Sequence, residues 1–419
     1  MKKSLLVGMA VALATAVTCS SALGATRTSS SPAATPGVTS SSITIGGTFP
    51  MTGVASLYAP IPRGMATYFN FINARKGPDG KKGVYGRKID WKYYDDAYNP
   101  AQTVQLTNQL ILQDKVFAIV GSLGTEHNQA IRPILNQRHI PQIFVATGAS
   151  YWGLQYKDFP WTIGWQPDYI AEGIAYGRWI VANAPNAKIA VLFQNDDYGK
   201  DYLRGLKIGL ARKTNLIVSE QSYEITDTSY ASQIARQKAS GADTWVLLTT
   251  PTPTVRAIAT AKALNWKPGQ IVINSVSAID TVMAAAVARA GADFVAGSIS
   301  TTYLKNVTNP AYGRDPWVRQ YRKLVAKYGP AGVEVNNENT YYGVAKAYDI
   351  VKTLYLAGKH PTRNSLMAAT LKMNWINPYT IKGVKVKTGK ADHFPLSQVR
   401  LIRYGNGSWS EFGPLIKGR

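Results

Sequence analysis

The sequence predicts an α/β protein built from two doubly wound lobes, and three observations carry that prediction. Apolar runs of four to six residues recur along the chain and suit strands buried on both faces. Amphipathic helical stretches lie between them, and a helix is the usual crossover that parallel strands require. The scheme runs through once and then repeats, in a chain of 419 residues that exceeds what one core usually serves.

The first string opens with the strand SITIGGTF, followed by a helix near Pro62 to Asn73 and the strand KIDWKYY. A helix from Pro100 to Gln113, the strand VFAIVG, a helix from Glu126 to Arg138 and the strand PQIFVA complete it. The second string contains KIAVLF, a helix from Lys200 to Lys213, LIVSEQSY, a helix from Tyr230 to Ser240, TWVLLT, a helix from Thr254 to Leu264, and QIVINS. Between the strings, FPWTIGWQPDY carries two prolines and no helical period, so it reads as a first crossing between lobes. A further strand, FVAGSIS, precedes helices around Pro316 to Tyr328 and Asn337 to Ala357 that return to lobe 1. From about Pro378 a tail with IKGVKVK and QVRLIRY adds strands to lobe 2. Lobe 1 is thus expected over 43–164 and 300–377, and lobe 2 over 165–299 and 378–419.

The ends of the chain address location. Lys2 and Lys3 precede an uncharged apolar run from Ser4 to Val17, the pattern of a secretory leader and too short to span a bilayer. Residues 1–24 read as a signal peptide and 25–42 as a flexible tether of Ser, Thr, Ala and Pro. A soluble exported protein is expected, periplasmic or at the cell surface. Cys19, the single cysteine, excludes an intrachain disulfide and has two possible fates. It becomes the lipid-modified anchor to the membrane, or it is lost on cleavage near Ala22-Leu23-Gly24. The formal net charge of +23 suits an anionic envelope, but the basic residues are dispersed rather than gathered into an arm or patch, so nucleic acid is not an expected partner.

The segment IVGSLGTEHNQA has the character of a binding loop: an apolar strand end, small and hydroxyl residues, then a helix start. It lacks the lysine that follows the last glycine of a P-loop, because Thr125 and Glu126 follow Gly124. In open parallel sheets ligands sit outside the carboxyl ends of the strands. Ser122 and Thr125 hydroxyls, backbone N–H groups and the positive end of the next helix could there meet an anion such as a carboxylate. The plainer alternative is that Thr125 only caps its helix.

Several segments together resemble the leucine/isoleucine/valine-binding family of periplasmic substrate-binding proteins of ABC transporters, in order and spacing over most of residues 42 to 405. They are ITIGGTFPMTG, ASLYAPIPRGMATYFNFINARKG, KYYDDAYNPAQTVQLTNQLI, AIVGSLGTEHN, IPQIFVATGAS and NDDYGKDYLRGLK. The resemblance implies the type I fold, with two Rossmann-like lobes, three crossing segments and hinge closure over a small molecule delivered to permease and ATPase subunits. A ligand-sensing receptor subunit of the same fold is the alternative. Thr125 matches the family's carboxylate-binding hydroxyl residue, and Ala146, Thr147 and Gly148 match the groups that share that work. Tyr58, Tyr198 and Tyr342 correspond to aromatic residues flanking the ligand, although Tyr341 could replace Tyr342. One departure stands out. Where amino-acid binders place an acid for the ligand ammonium, VINSVSAID offers Asn274, Ser275 and Ser277, and Ser275 is taken as the contact. Either Asp280 or Glu126 supplies the charge, or the ligand is an amide, a hydroxy acid or an aromatic acid. Trp152 and Trp165 are further candidates to shape the pocket.

Catalytic chemistry is not expected. His127, His139, His360 and His393 lack metal-ligand spacing, and no G-x-S-x-G or G-x-G-x-x-G motif occurs, so no metal or cofactor is predicted. The pairs Asp95-Asp96 and Asp196-Asp197 follow predicted strands, where turns and helix caps use Asp.

Overall fold

The computed structural model describes residues 35–418. The first sheet is parallel and contains β1 (Ser42–Phe49), β2 (Lys88–Asp95), β3 (Ala118–Val120), β4 (Gln142–Val145) and β5 (Thr162–Gly164), in the order β2-β1-β3-β4-β5. The second repeats that order with β6 (Ile189–Gln194), β7 (Ile217–Tyr223), β8 (Thr244–Leu248), β9 (Gln270–Ile273) and β10 (Ile299–Thr302), giving β7-β6-β8-β9-β10. A short antiparallel pair, β11 (Asn374–Trp375) and β12 (Val386–Lys387), stands apart. Finally β13 (Gln398–Gly405) adds antiparallel to β10, and β14 (Ser408–Lys417) forms the edge beyond it. The chain passes between lobes three times: after β5, after β10 and before β13.

Each lobe closes over its own core. Ile43, Ile45, Phe49, Ile143 and Ile163 pack with residues of the returning helices in lobe 1, while Leu192, Trp245, Ile273 and Met283 fill one face of the second sheet. Helices Pro60–Ala74 and Glu338–Leu356 cross so closely that a Cβ on Gly64 would lie 2.2 Å from the Thr340 carbonyl oxygen. Helix Pro100–Leu112 begins with Pro100 in its first turn behind Asn99, whose Oδ1 accepts from Ala101 N at 2.9 Å and Gln102 N at 3.3 Å. Asn99→Ala should cost about 1 kcal/mol in denaturant melts, the ordinary worth of a cap. No loss would show that water replaces it.

Several elements differ from expectation. Helix Tyr169–Asn183 follows the first crossing, and TIG within the crossing segment forms β5 before the chain leaves lobe 1. FVAGSIS is not one strand: Ala292–Val295 is a helical turn, Gly297 turns the chain at φ +79°, and β10 starts only at Ile299. Likewise only Val386–Lys387 of IKGVKVK is strand. Tyr379, Ile381, Val384, Val386 and Leu396 pack in the lobe 1 core, so the return to lobe 2 falls near Gln398 rather than at 378. The expected tether ends earlier than 42. Gly37 accepts from Thr44 N at 2.7 Å, and Arg87 Nε donates to Thr39 O at 2.6 Å. Among the described residues no helix is long and apolar enough to cross a membrane. The leader and Cys19 lie outside the described residues.

Candidate ligand-binding site

Strand ends from both sheets open on one cavity of about 1120 Å³, part of it open to solvent. Its polar end is built on the loop after β3. Asn128 Nδ2 donates to the carbonyls of Ser122 (2.9 Å) and Gly124 (2.8 Å), fixing the loop's path. Gly124 sits at φ +105°, and a Cβ there would lie 2.3 Å from His127 Nδ1, so glycine is required at this bend. Thr125 is the first residue of helix Thr125–Gln137, and its side chain does not cap that helix. Instead its hydroxyl meets the Thr147 hydroxyl at 2.6 Å. Thr147 follows a strained bulge in β4, where buried Phe144 takes φ +56° and the register with β5 shifts. The helix's first N–H groups, which have no intrahelical partner, complete a donor-rich corner.

Seven of the nine residues expected at the site line this cavity: Tyr58, Thr125, Ala146, Thr147, Tyr198, Ser275 and Tyr342. Ser122 and Gly148 do not. The Ser122 hydroxyl turns back to accept from Thr48 N at 3.1 Å, and the Gly148 carbonyl accepts from Tyr169 N at 2.8 Å. A Cβ on Gly148 would lie 2.1 Å from Pro167 O, so this residue lets the chains pack behind the site.

Tyrosines form the walls. The Tyr198 ring stands edge-on to Tyr169 at 5.3 Å, and its hydroxyl is buried without a hydrogen-bond partner. Tyr342 donates to Gln166 Oε1 at 3.2 Å, whereas the Tyr341 hydroxyl turns into the core to Tyr379 O. Both line the cavity, but Tyr342 spans toward the crossing segment. Trp165 does not line it and supports the wall from behind, edge-on to Tyr342 at 5.2 Å, its Nε1 donating to Asp349 Oδ2 at 2.8 Å. Lys346 lies beneath with its Nζ 4.5 Å from the Tyr342 ring centre, and burial holds its amine well below the usual lysine range. Trp152 is buried against Arg132, outside the cavity wall.

An acid does stand behind Ser275. Glu172, on the unforeseen helix Tyr169–Asn183, accepts from Ser275 N and Ser275 Oγ, each at 2.8 Å, from Tyr202 Oη at 3.0 Å, and from Tyr176 Oη. Burial pushes its carboxyl up, while these donors pull it back. With its proton given to Glu172, the Ser275 hydroxyl presents lone pairs to a donor in the cavity. Glu126 is exposed and does not line the cavity. Asp280 is not in the wall either, but its N–H donates to Glu338 Oε1 at 2.8 Å, and Glu338 is.

A profile of the periplasmic binding protein family matches residues 42–408. The chain belongs to this family. Two curated relatives are the Leu/Ile/Val-binding protein homolog 3 of Brucella melitensis, 26% identical over 203 residues (48% of this chain, 52% of the relative), and the Leu/Ile/Val-binding protein of Escherichia coli, 24% over 166 residues (39% and 44%). The chain thus matches about half the length of these relatives. Solved structures similar in fold include a branched-chain amino acid ABC transporter protein of Thermus thermophilus with bound valine (TM-score 0.76, 19% identity, 90% of this chain and 97% of that one). A fatty acid ABC transporter substrate-binding protein from Thermomonospora curvata gives 0.74, 20%, 92% and 94%. An R. palustris solute-binding protein in complex with 4-hydroxybenzoate gives 0.72, 18%, 90% and 97%.

In this binding protein the carboxylate pairs hold turns. Asp95 accepts from Met51 N, Thr52 Oγ1 and Ala97 N, and Asp196 caps helix Asp197–Leu210 through Gly199 N. Burial pushes the His127 imidazole down to about 4, so the ring tilted 4.2 Å from Tyr98 is neutral. Tyr98, Glu172 and Glu338 escaped the sequence reading. The acid inside the apolar run YIAEGIAYG was the available signal, since a buried carboxylate needs a reason.

Two measurements probe the walls. Tyr198→Phe should leave the unliganded protein as stable or slightly more so, yet weaken ligand binding by about 0.5–1.5 kcal/mol, because only a ligand gives that hydroxyl a partner. Unchanged affinity by calorimetry would make Tyr198 a packing residue. Burial, then Asp280, push the Glu338 carboxyl up to about 7 from 4.5. The protonated form's stabilisation is full below the lower value and lost as pH rises through the upper one. The melting temperature of the native protein relative to Glu338→Gln should therefore fall from about pH 5 to about pH 8. A pH-independent difference would show an ordinary carboxyl.

Proposed function

We propose that this protein is the extracytoplasmic solute-binding component of an ABC importer, capturing a small carboxylate- or amide-bearing ligand by hinge closure and delivering it to the permease. The observation that carries this reading is the facing pair Thr125 and Thr147 at one end of an interlobe cavity walled by tyrosines. Their hydroxyls and the adjoining helix N-terminus suit an anionic head, and the rings suit an apolar body. Valine, fatty acids and 4-hydroxybenzoate, named for three structural relatives, share a carboxylate and little else. Contacts from both lobes favour the closed form, which the permease then reads.

Neither Glu172, taken up by its donors behind Ser275, nor Asp280 lines the cavity, so branched-chain amino acids should bind less well than acids or amides without an ammonium beside the carboxylate. A thermal-shift panel tests this by setting leucine, isoleucine, valine and phenylalanine against their 2-keto acids, small amides and aromatic acids. Stabilisation by no member would count against the reading. The leader fits export, and a lipid anchor at Cys19 is the proposed membrane attachment. Cys19→Ala should then release the protein from membranes.

A further inference from the structure

The cavity continues well past the corner at Thr125. Its wall runs from Thr250, after β8, to Trp409 on β14, and these strands stand four positions apart in the second sheet. At the usual strand spacing, the backbones at the two ends lie roughly 19 Å apart, far more than a branched-chain amino acid spans. Tyr312, Tyr341 and Trp409 are also in the wall, and aromatic faces attract cations.

Three charged residues line the cavity, and two are neutralised. Lys305 pairs with Asp315 at 2.8 Å, and Glu411 pairs with Arg400 at 2.8 Å. Glu338, the first residue of helix Glu338–Leu356, is in none of the four ion pairs among the described residues. Its Oε1 accepts from Asp280 N at 2.8 Å, and its Oε2 is buried with no hydrogen bond. The Thr308 hydroxyl donates to the Asp280 carboxylate and lies close enough to Glu338 to pull its carboxyl part of the way back down. The Asp280 and Glu338 carboxyl groups, from opposite lobes, thus lie near one another, and neither is in an ion pair among the described residues.

We propose that this far end is a second subsite for an organic ammonium group, so that the ligand is an elongated molecule with a carboxylate at Thr125 and Thr147 and a cationic nitrogen at Glu338. This rests on the carboxylate-binding reading above and names the ligand class within it. It accounts for the neutral residues around Ser275: the acid that meets a cation stands at the other end of the cavity, not next to the carboxylate. Burial and Asp280 push the Glu338 carboxyl up to about 7, so near neutrality it holds its proton only part of the time, and an arriving ammonium replaces that proton as its partner.

Two homologous series test it by calorimetry: unbranched alkanoates from four to ten carbons, and the same acids bearing a terminal amine. In the native protein the amine should improve affinity by about tenfold or more at one intermediate length, where both ends are reached together. Glu338→Gln keeps an acceptor for Asp280 N and should erase that preference while leaving the plain acid's affinity within a few fold. Thr125→Ala should weaken both series alike. If it weakens neither while the amine preference persists, the carboxylate assignment fails and the ammonium subsite stands. Plain acids binding as well as amino acids at every length, a preference that survives Glu338→Gln, or no binding of either series would each overturn the proposal.

Discussion

Replacing Thr125 and Thr147 together with valine should reduce ligand affinity by about a hundredfold while leaving the fold intact. Each hydroxyl bonded to a charged head is worth about 1.5–3 kcal/mol, and because the two share one partner their effects should fall short of additive. Valine matches threonine in shape, so the helix start and the bulge after Phe144 should be retained. The loss should appear in calorimetry as reduced affinity with an unchanged melting temperature for the unliganded protein. A loss of under threefold would mean that the corner serves packing and that the head group binds elsewhere.

Asp349→Ala should be the most damaging single change to stability, by about 3–5 kcal/mol. Asp349 is completely buried on helix Glu338–Leu356 and accepts from Trp165 Nε1 (2.8 Å), Trp375 Nε1 (2.7 Å) and Asn377 Nδ2 (2.9 Å). Buried Trp165 and half-buried Trp375 would lose their acceptor, Asn377 would keep only the Ala345 carbonyl, and each stranded donor costs about 1–3 kcal/mol. Trp165 is the ring behind Tyr342, so the cavity wall should loosen as well, seen as faster hydrogen exchange around the first crossing. Asp349→Asn retains one acceptor and should cost less. Equal stability of the alanine variant in denaturant melts would show that water replaces the carboxylate.

The two lobes and the succession of most strands and helices along the chain were legible because parallel strands buried on both faces leave short apolar runs that stand out between amphipathic helices. The corner at Thr125 was legible for a related reason, since strand ends are where such sheets place ligands. Side-chain direction was not. Ser122 and Gly148 sit in the right loops, but the turn at Gly121 (φ +70°) sends the serine back to Thr48, and Gly148 faces Pro167. Helix Tyr169–Asn183 was hidden because its glycines and apolar residues blur the helical period, and Glu172 was hidden with it. The alternation in IKGVKVK pointed to a strand but not to its lobe. That is decided by contacts distant in sequence, such as Lys305 Nζ donating to Pro378 O at 2.8 Å.

Glu172 and Glu338 differ in their surroundings. Glu172 is saturated by hydroxyl and N–H donors and fixes the Ser275 loop, whereas Glu338 lines the cavity and is in no ion pair among the described residues. Under the two-subsite proposal, the ligands selected are those whose polar groups are far apart.

The most direct test is to purify the protein from its native host, denature it, and identify the released small molecule by mass spectrometry. A carboxylic acid or amide, near one equivalent per chain and restoring its thermal shift when added back to refolded protein, is the expected result. A released ligand with neither group, whose binding is indifferent to the double valine substitution at Thr125 and Thr147, would contradict it.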